Sequence, residues 1–328
     1  MRVWYDACTG KHVRYGTAIA RRLRKRGHEV IFTTRDHPDT LALAKVLGEN
    51  PVVVGKYNPA SLFTRLEEGA KRILLFSKMF KSNPPEAAIS SQSVESCRFA
   101  FGLSIPIIVT ADTPHATAVN KLTIPLADTL LISEALPRSL YRKYGPQKIV
   151  QYRGVDEVAW MKDSKPLKTF KFEKPLIVVR QMETKAAYGL GKHDVTIEIA
   201  RKLSSLGTVV FLPRYGVPKD KKLVVMDKFV DSASLAAQAD LVVSVGGTIA
   251  REAALQGTPS IVISEFGHIS VNEYLSKKGF PLFIVKFSRV FHSATTYLGK
   301  RFNVEAKLAT LENPVDTIEN IIAERQCA

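Results

Sequence analysis

The chain has 328 residues, enough for two domains of ordinary size, and its 45% hydrophobic and 24% charged content is that of a water-soluble globular protein. No apolar run approaches the ~18 residues of a membrane span, the N-terminus lacks the basic-then-apolar pattern of a signal peptide, and Cys8, Cys97 and Cys327 have no metal-ligand or disulfide spacing, which together fit a reducing cytoplasm. The net charge of +16 points to polyanionic company such as nucleic acid, acidic lipid or phosphorylated substrate, but no zinc-finger, ribonucleoprotein or helix-turn-helix pattern accompanies it, so nucleic acid is not favoured.

Apolar β-branched runs alternate with helical patterns along the chain, the mark of parallel α/β units. Strands are predicted at 3–5, 29–33, 51–54, 87–90, 105–109, 129–132 and 149–151, and a helix at 13–26 closed by Gly27. At the end of that helix, Arg21-Arg22-Leu23-Arg24-Lys25-Arg26 complements the dipole and reads as a solvated face. The stretch 62–81 sets Leu66, Ile73, Leu74, Phe76, Met79 and Phe80 among Arg65, Lys71, Arg72, Lys78 and Lys81. As a basic amphipathic surface it would lie against anionic membrane and receive a lipid-linked acceptor. A helix packed on its own sheet gives the same pattern and is the preferred reading. Residues 156–175, rich in Lys, Asp, Ser and Pro without a period, form the predicted linker between domains at 1–155 and 176–328.

The second half restarts the pattern, with strands at 176–179, 209–213, 223–226, 241–245, 261–263 and 282–285 and helices starting near Asp194, Ser232, Thr248 and Val271. A last amphipathic helix, 314–325, carries Val315, Ile318, Ile321 and Ile322 on one face and is able to pack back on the first domain. The expected fold class is therefore α/β: two Rossmann-like doubly wound domains facing a central cleft at the carboxyl ends of their strands.

Loops at those strand ends carry the candidate chemistry. In 241–263 a strand pattern ends at Gly246-Gly247 and a helix begins at Thr248. Glycines let a ligand approach the backbone, and the first helical N–H groups suit a phosphate. Thr248 and Glu252, four apart, share a helix face, where the Thr248 hydroxyl would hold phosphate and the Glu252 carboxylate would accept from ribose hydroxyls. The alternative is a Thr248 helix cap with Glu252 favouring the dipole. After the first strand, Lys11 suits a phosphate and His12 a general base, the alternative for His12 being a helix cap or solvent contact. Asp112 and His115, after the fifth strand, would orient one another as a base, or form an Asx turn at Pro114. Arg180, Glu183 and Gly189-Leu190-Gly191-Lys192-His193, with Arg214 nearby, suit further phosphate contacts, the alternative being an Arg180–Glu183 salt bridge.

Gly246-Gly247-Thr248, Arg251-Glu252-Ala253-Ala254 and Gly257-Thr258-Pro259 resemble the C-terminal nucleotide-binding segment of the GT-B superfamily, which includes nucleotide-sugar glycosyltransferases and UDP-N-acetylglucosamine 2-epimerases. Residues 6–12, 26–30, 34–36, 98–106, 127–128, 154–155 and 178–180 add a closer similarity to a GT-B-like domain-of-unknown-function family, number 354. The resemblance implies a GT-B-like fold, with Glu252 on the donor ribose and Gly246, Gly247 and Thr248 on its diphosphate. It also implies a nucleotide sugar, UDP-linked, as substrate, with neither cofactor nor metal. GT-B transferases often have a glycine-rich first loop, and here that loop has only Gly10.

Three functions are expected in descending order. The first is metal-independent glycosyl transfer, with helix N–H groups and Arg180 stabilising the departing diphosphate. The second is nucleotide-sugar epimerisation, disfavoured because epimerases follow the glycine turn with a Glu-Glu pair where this chain has Arg251-Glu252. The third is non-catalytic nucleotide or polyanion binding.

Overall fold

The computed structural model describes residues 1–162, 166–184, 193–216, 218–266 and 270–326, which divide into two compact units, 1–160 with 312–328, and 161–311. The first contains strands β1 (Arg2–Ala7), β2 (Glu29–Asp36), β3 (Val52–Lys56), β4 (Ala87–Ser90), β5 (Ile107–Thr110), β6 (Thr129–Ser133) and β7 (Lys148–Tyr152). Between them run α1 (Gly10–Lys25), α2 (Pro38–Leu47), α3 (Leu62–Met79), α4 (Val94–Gly102), α5 (Thr117–Thr123) and α6 (Ser139–Arg142), followed by α7 (Val158–Met161). The strands form one parallel sheet in the order β3-β2-β1-β4-β5-β6-β7. Central strands such as β4 and β5 are apolar on both faces because helices cover both.

The second unit contains β8 (Leu176–Arg180), β9 (Thr208–Leu212), β10 (Val224–Val225), β11 (Leu241–Ser244), β12 (Ser260–Ile263) and β13 (Leu282–Val285), parallel in the order β10-β9-β8-β11-β12-β13. Its helices are α8 (Thr196–Leu203), α9 (Ser232–Gln238), α10 (Thr248–Leu255), α11 (Ser270–Lys277), α12 (Val290–Tyr297) and α13 (Glu305–Ala309). Alternation along β8 feeds two cores: Ile177 and Val179 pack with Ile199 and Val290, while Leu176 and Val178 pack with Leu235 and Ile249. Both sheets are parallel and helix-covered, as the α/β reading expected.

The chain leaves the second unit at Leu311, and α14 (Pro314–Gln326) belongs to the first, packed on α1. The predicted solvated face of α1 holds for Arg21, Arg24, Lys25 and Arg26, which are exposed, while Arg22 is half-buried where α14 meets the helix. Arg22 pairs with Asp316 at 2.5 Å and Glu319 at 2.8 Å, Arg26 also reaches Glu319, and Arg24 pairs with Glu49 at 2.9 Å. Residues 156–160, placed in the linker by composition, are part of the first unit, and Asp156 is 6% exposed.

The preferred reading of 62–81 as a helix packed on its own sheet holds, with Phe76 and Phe80 in the core, but its charged and apolar positions are distributed differently from the expected pattern. Ser61 and Thr64 close a capping box, and α3 ends before Pro84 and Pro85. Its inward line is Glu68, Arg72 and Phe76, and Phe76 and Phe80 pack edge-on against Trp4 at 4.7 and 4.9 Å between ring centroids. Arg72, expected on the surface, is 1% exposed, and Leu66 and Leu74, expected in a packed face, are 73% and 64% exposed. The physical reason is a buried carboxylate on β1, Asp6, which draws the arginine inward.

Candidate functional site

In the first unit the parallel strands bring the loops after β1, β5 and β7 to one sheet edge. Thr9 caps α1, and the next turn projects Lys11. Its ammonium lies 2.5 Å from Asp112 Oδ2, beyond β5, and 2.6 Å from Asp156 Oδ2, beyond β7. Lys11 thus meets two carboxylates, which offset the charge that suggested a phosphate contact. Asp112 Oδ1 also accepts from the Thr113 hydroxyl at 2.8 Å, and Asp156 Oδ1 accepts from the Tyr152 hydroxyl. One turn beyond Lys11, the Tyr15 hydroxyl is buried without a hydrogen-bond partner among the described residues, and burial followed by the Asp156 charge pushes its pKa up. His115 is half-buried two residues before the start of α5.

His12 stands behind this cluster. Its Nδ1 accepts from the Cys8 N–H at 3.3 Å, which places the ring proton on Nε2, and its carbonyl accepts from the Tyr5 hydroxyl at 2.9 Å. Burial, with Lys11 adding to it, lowers its pKa from 6.5 to about 3, so the ring is neutral at physiological pH.

A second polar group, absent from the sequence-based site, ties strands β1, β2 and β3 to helices α3 and α4. Asp6 accepts from Thr33 Oγ1 at 2.7 Å, Ser93 Oγ at 2.6 Å and Arg72 Nη2 at 2.8 Å. Arg72 also donates to Glu95 at 3.1 Å and to the Val54 carbonyl at 2.8 Å. Burial alone would lower the Arg72 pKa, but Asp6, Cys8 and Glu95 outweigh it and hold the guanidinium charged. No local pattern signals this partnership. Asp156, by contrast, had a signal, because it follows a predicted strand end at the same edge as Asp112.

In the second unit β9, β8 and β11 lie side by side, so Arg214, Arg180 and Gly246 gather at one carboxyl edge. Arg180 Nη1 donates to the Pro213 carbonyl at 3.2 Å, and Arg214 Nε donates to the Gln181 carbonyl at 2.9 Å. Glu183 lies 3.7 Å from Arg214 Nη1 and accepts from the Tyr215 hydroxyl. Gly189, Leu190, Gly191 and Lys192 lie outside the described residues.

The turn after β11 has both glycines in the left-handed region, Gly246 at φ 97° and Gly247 at φ 98°, a conformation that favours glycine. Gly247 is the N-cap of α10 and Thr248 its first helical residue, so Thr248 is not the cap. Among the described residues no side chain caps this helix end, and a Cβ built on Gly247 meets nothing within 4 Å. Its first amides therefore open onto space beside Gly247. At the end of β11 the Ser244 hydroxyl is buried with no hydrogen-bond partner among the described residues. Glu252, one turn into α10, is fully buried and accepts from Ser232 Oγ at 3.2 Å.

A protein of Methanocaldococcus jannaschii with no assigned function is 28% identical over 342 residues, covering 99% of this chain and 97% of its own. The UDP-GlcNAc 2-epimerase of the same organism, solved with UDP-GlcNAc and UDP, is 14% identical, with a TM-score of 0.68 over 99% of this chain and 100% of that one. The glycotransferase of kitacinnamycin is 13% identical, with a TM-score of 0.63 over 97% and 98% of the two chains. At these identities the likeness to solved structures is one of fold, an α/β architecture of the GT-B type. Residues 1–326 match the family described as "Protein of unknown function (DUF354)", and the chain belongs to that family.

Proposed function

We propose that this protein binds a nucleotide diphosphate sugar, UDP-linked, at the carboxyl edge of its second sheet and transfers the sugar to an acceptor hydroxyl. The observation that carries this reading is the turn at Gly246 and Gly247, where two left-handed glycines open the N-terminus of α10. Such an end offers N–H donors and partial positive charge to a diphosphate. Ser244 adds a buried hydroxyl beside it, and Arg180 and Arg214 add charge from the neighbouring strands. In the reaction the acceptor oxygen bonds to the anomeric carbon, the bond from that carbon to the diphosphate breaks, and the acceptor proton passes to a base. The growing charge on the diphosphate rests on the α10 amides and the arginines, with no metal in the step.

Asp112 and His115 supply the acceptor base. His12, with Nδ1 engaged by Cys8 and a pKa near 3, positions the β1 loop in this scheme. Epimerisation is the second reading, supported by the fold shared with a UDP-GlcNAc 2-epimerase.

Titration calorimetry with UDP, followed by incubation with UDP-GlcNAc and other UDP-sugars with product NMR, tests the scheme. The expected result is UDP binding that weakens at least about tenfold in Gly247→Ala, with UDP released in turnover that Asp112→Asn slows without changing UDP affinity. Inversion at C2 would establish the epimerase, binding without turnover would leave a binding protein, and absence of UDP binding would remove the nucleotide site.

A further inference from the structure

Helix α3 reverses the arrangement of an ordinary surface helix. Two of its inward positions are the charged residues Glu68 and Arg72, while Leu62, Phe63, Leu66 and Leu74 are exposed by 74%, 74%, 73% and 64%. Phe63, Leu66, Ala70 and Leu74 follow at steps of three and four, so they form one outward stripe. The helix packs beside the edge strand β3, where Val52 and Val53 are 49% and 48% exposed, and against α4, whose end presents Phe101 at 54%. None of these side chains is needed by the core, which takes Phe76 and Phe80 from the same helix.

Charge selects the occupant of this face. The exposed ionisable residues of β3, α3, α4 and α5 are Lys56, Lys71, Lys78, Arg98 and Lys121 on the positive side and Glu67 on the negative. Glu67 is already bonded to Lys71 at 2.9 Å. A second copy docking through this face would set cation against cation, because a twofold interface presents the same patch from both sides. A nucleic acid would meet the cations but give the leucines nothing to bury against. An anionic bilayer satisfies both features, with headgroup phosphates for the lysines and acyl chains for the stripe.

We propose that the α3 face docks this protein on anionic lipid surfaces, with Phe63, Leu66 and Leu74 entering the headgroup boundary and Lys78 beside the phosphates. The surface lies wholly within the first unit and does not depend on the nucleotide reading.

Co-sedimentation of the full chain with vesicles of phosphatidylcholine, with and without phosphatidylglycerol and at low and high salt, tests the proposal. The expected result is binding to the phosphatidylglycerol vesicles that falls at least about tenfold in Leu66→Ser/Leu74→Ser. Those positions are exposed, so the circular dichroism and melting of the variant should match the parent. Lys78→Glu/Lys121→Glu should weaken binding at low salt, where exposed charges are least screened. Failure to bind phosphatidylglycerol vesicles at low salt, or equal binding by the leucine variant, would overturn the proposal. So would a concentration-dependent dimer in sedimentation velocity that the leucine substitutions abolish, because a second copy would then own the face.

Discussion

At the scale of single residues, the first unit is organised by charges removed from water. Asp6 and Arg72 are both essentially buried and share two further hydroxyl donors and one further carboxylate. Separating such a pair leaves an uncompensated charge in a low-dielectric interior, which is more costly than never having had the pair. We expect Arg72→Met to destabilise the first unit by about 3–5 kcal/mol, and the double variant with Asp6→Asn to recover part of that loss. Both tryptophans, Trp4 and Trp160, lie in this unit, so urea unfolding followed by tryptophan fluorescence reads it directly. Additive losses would show that the two residues do not act as a pair. His12 makes a prediction with a definite sign. Its folded pKa is about 3 against an ordinary 6.5, so between those values the unfolded chain holds a proton that the folded chain lacks. The stability contribution is full above pH 6.5 and is lost as the pH falls toward 3. Between pH 6 and 4 the parent should therefore lose stability more steeply than His12→Asn, by about one proton's worth of slope. Parallel curves would mean that the imidazole titrates normally in the folded chain.

At the scale of elements, helix α14 shows which forces hold a distant segment. Its inward face buries Ile318 and Ile322 completely, and its outward charges Asp316 and Glu319 reach Arg22 on α1. The ion pairs involve a partly exposed arginine and are worth at most about 1 kcal/mol, whereas truncating a buried isoleucine costs about 2–5 kcal/mol. Ile322→Ala should accordingly lower first-unit stability several times more than Arg22→Ala, as read by the same tryptophan signal. The reverse order would make the charges the principal clamp. Periodicity marked α14 and its apolar face correctly, and in α3 it found the helix and the buried Phe76 and Phe80 but not the burial of Arg72 or the exposure of Leu66 and Leu74. A hydrophobic stripe shows that a face wants cover, and in α3 the inward face was claimed by Arg72 and Phe76 instead. The reason lies 66 residues away, at Asp6, outside any local window.

At the scale of the whole molecule, two parallel sheets repeat one construction rule. Each gathers its loops at the carboxyl edge, and those edges hold Lys11, Asp112 and Asp156 in one unit and Gly246, Gly247, Arg180 and Arg214 in the other. The sequence by itself determined the strands and the longer helices, because runs of β-branched residues, amphipathic periods and glycine turns are set by neighbours a few positions apart. It also marked Gly246 and Gly247 as a turn, since two adjacent left-handed residues almost require glycine. Only the tertiary structure decided that Lys11 meets Asp156 across 145 residues, that Arg72 is buried, that the basic end of α1 receives α14, and that α3 turns its leucines outward. Burial and ion pairing depend on which surfaces the completed sheet brings together, and that information resides in no single segment of the chain.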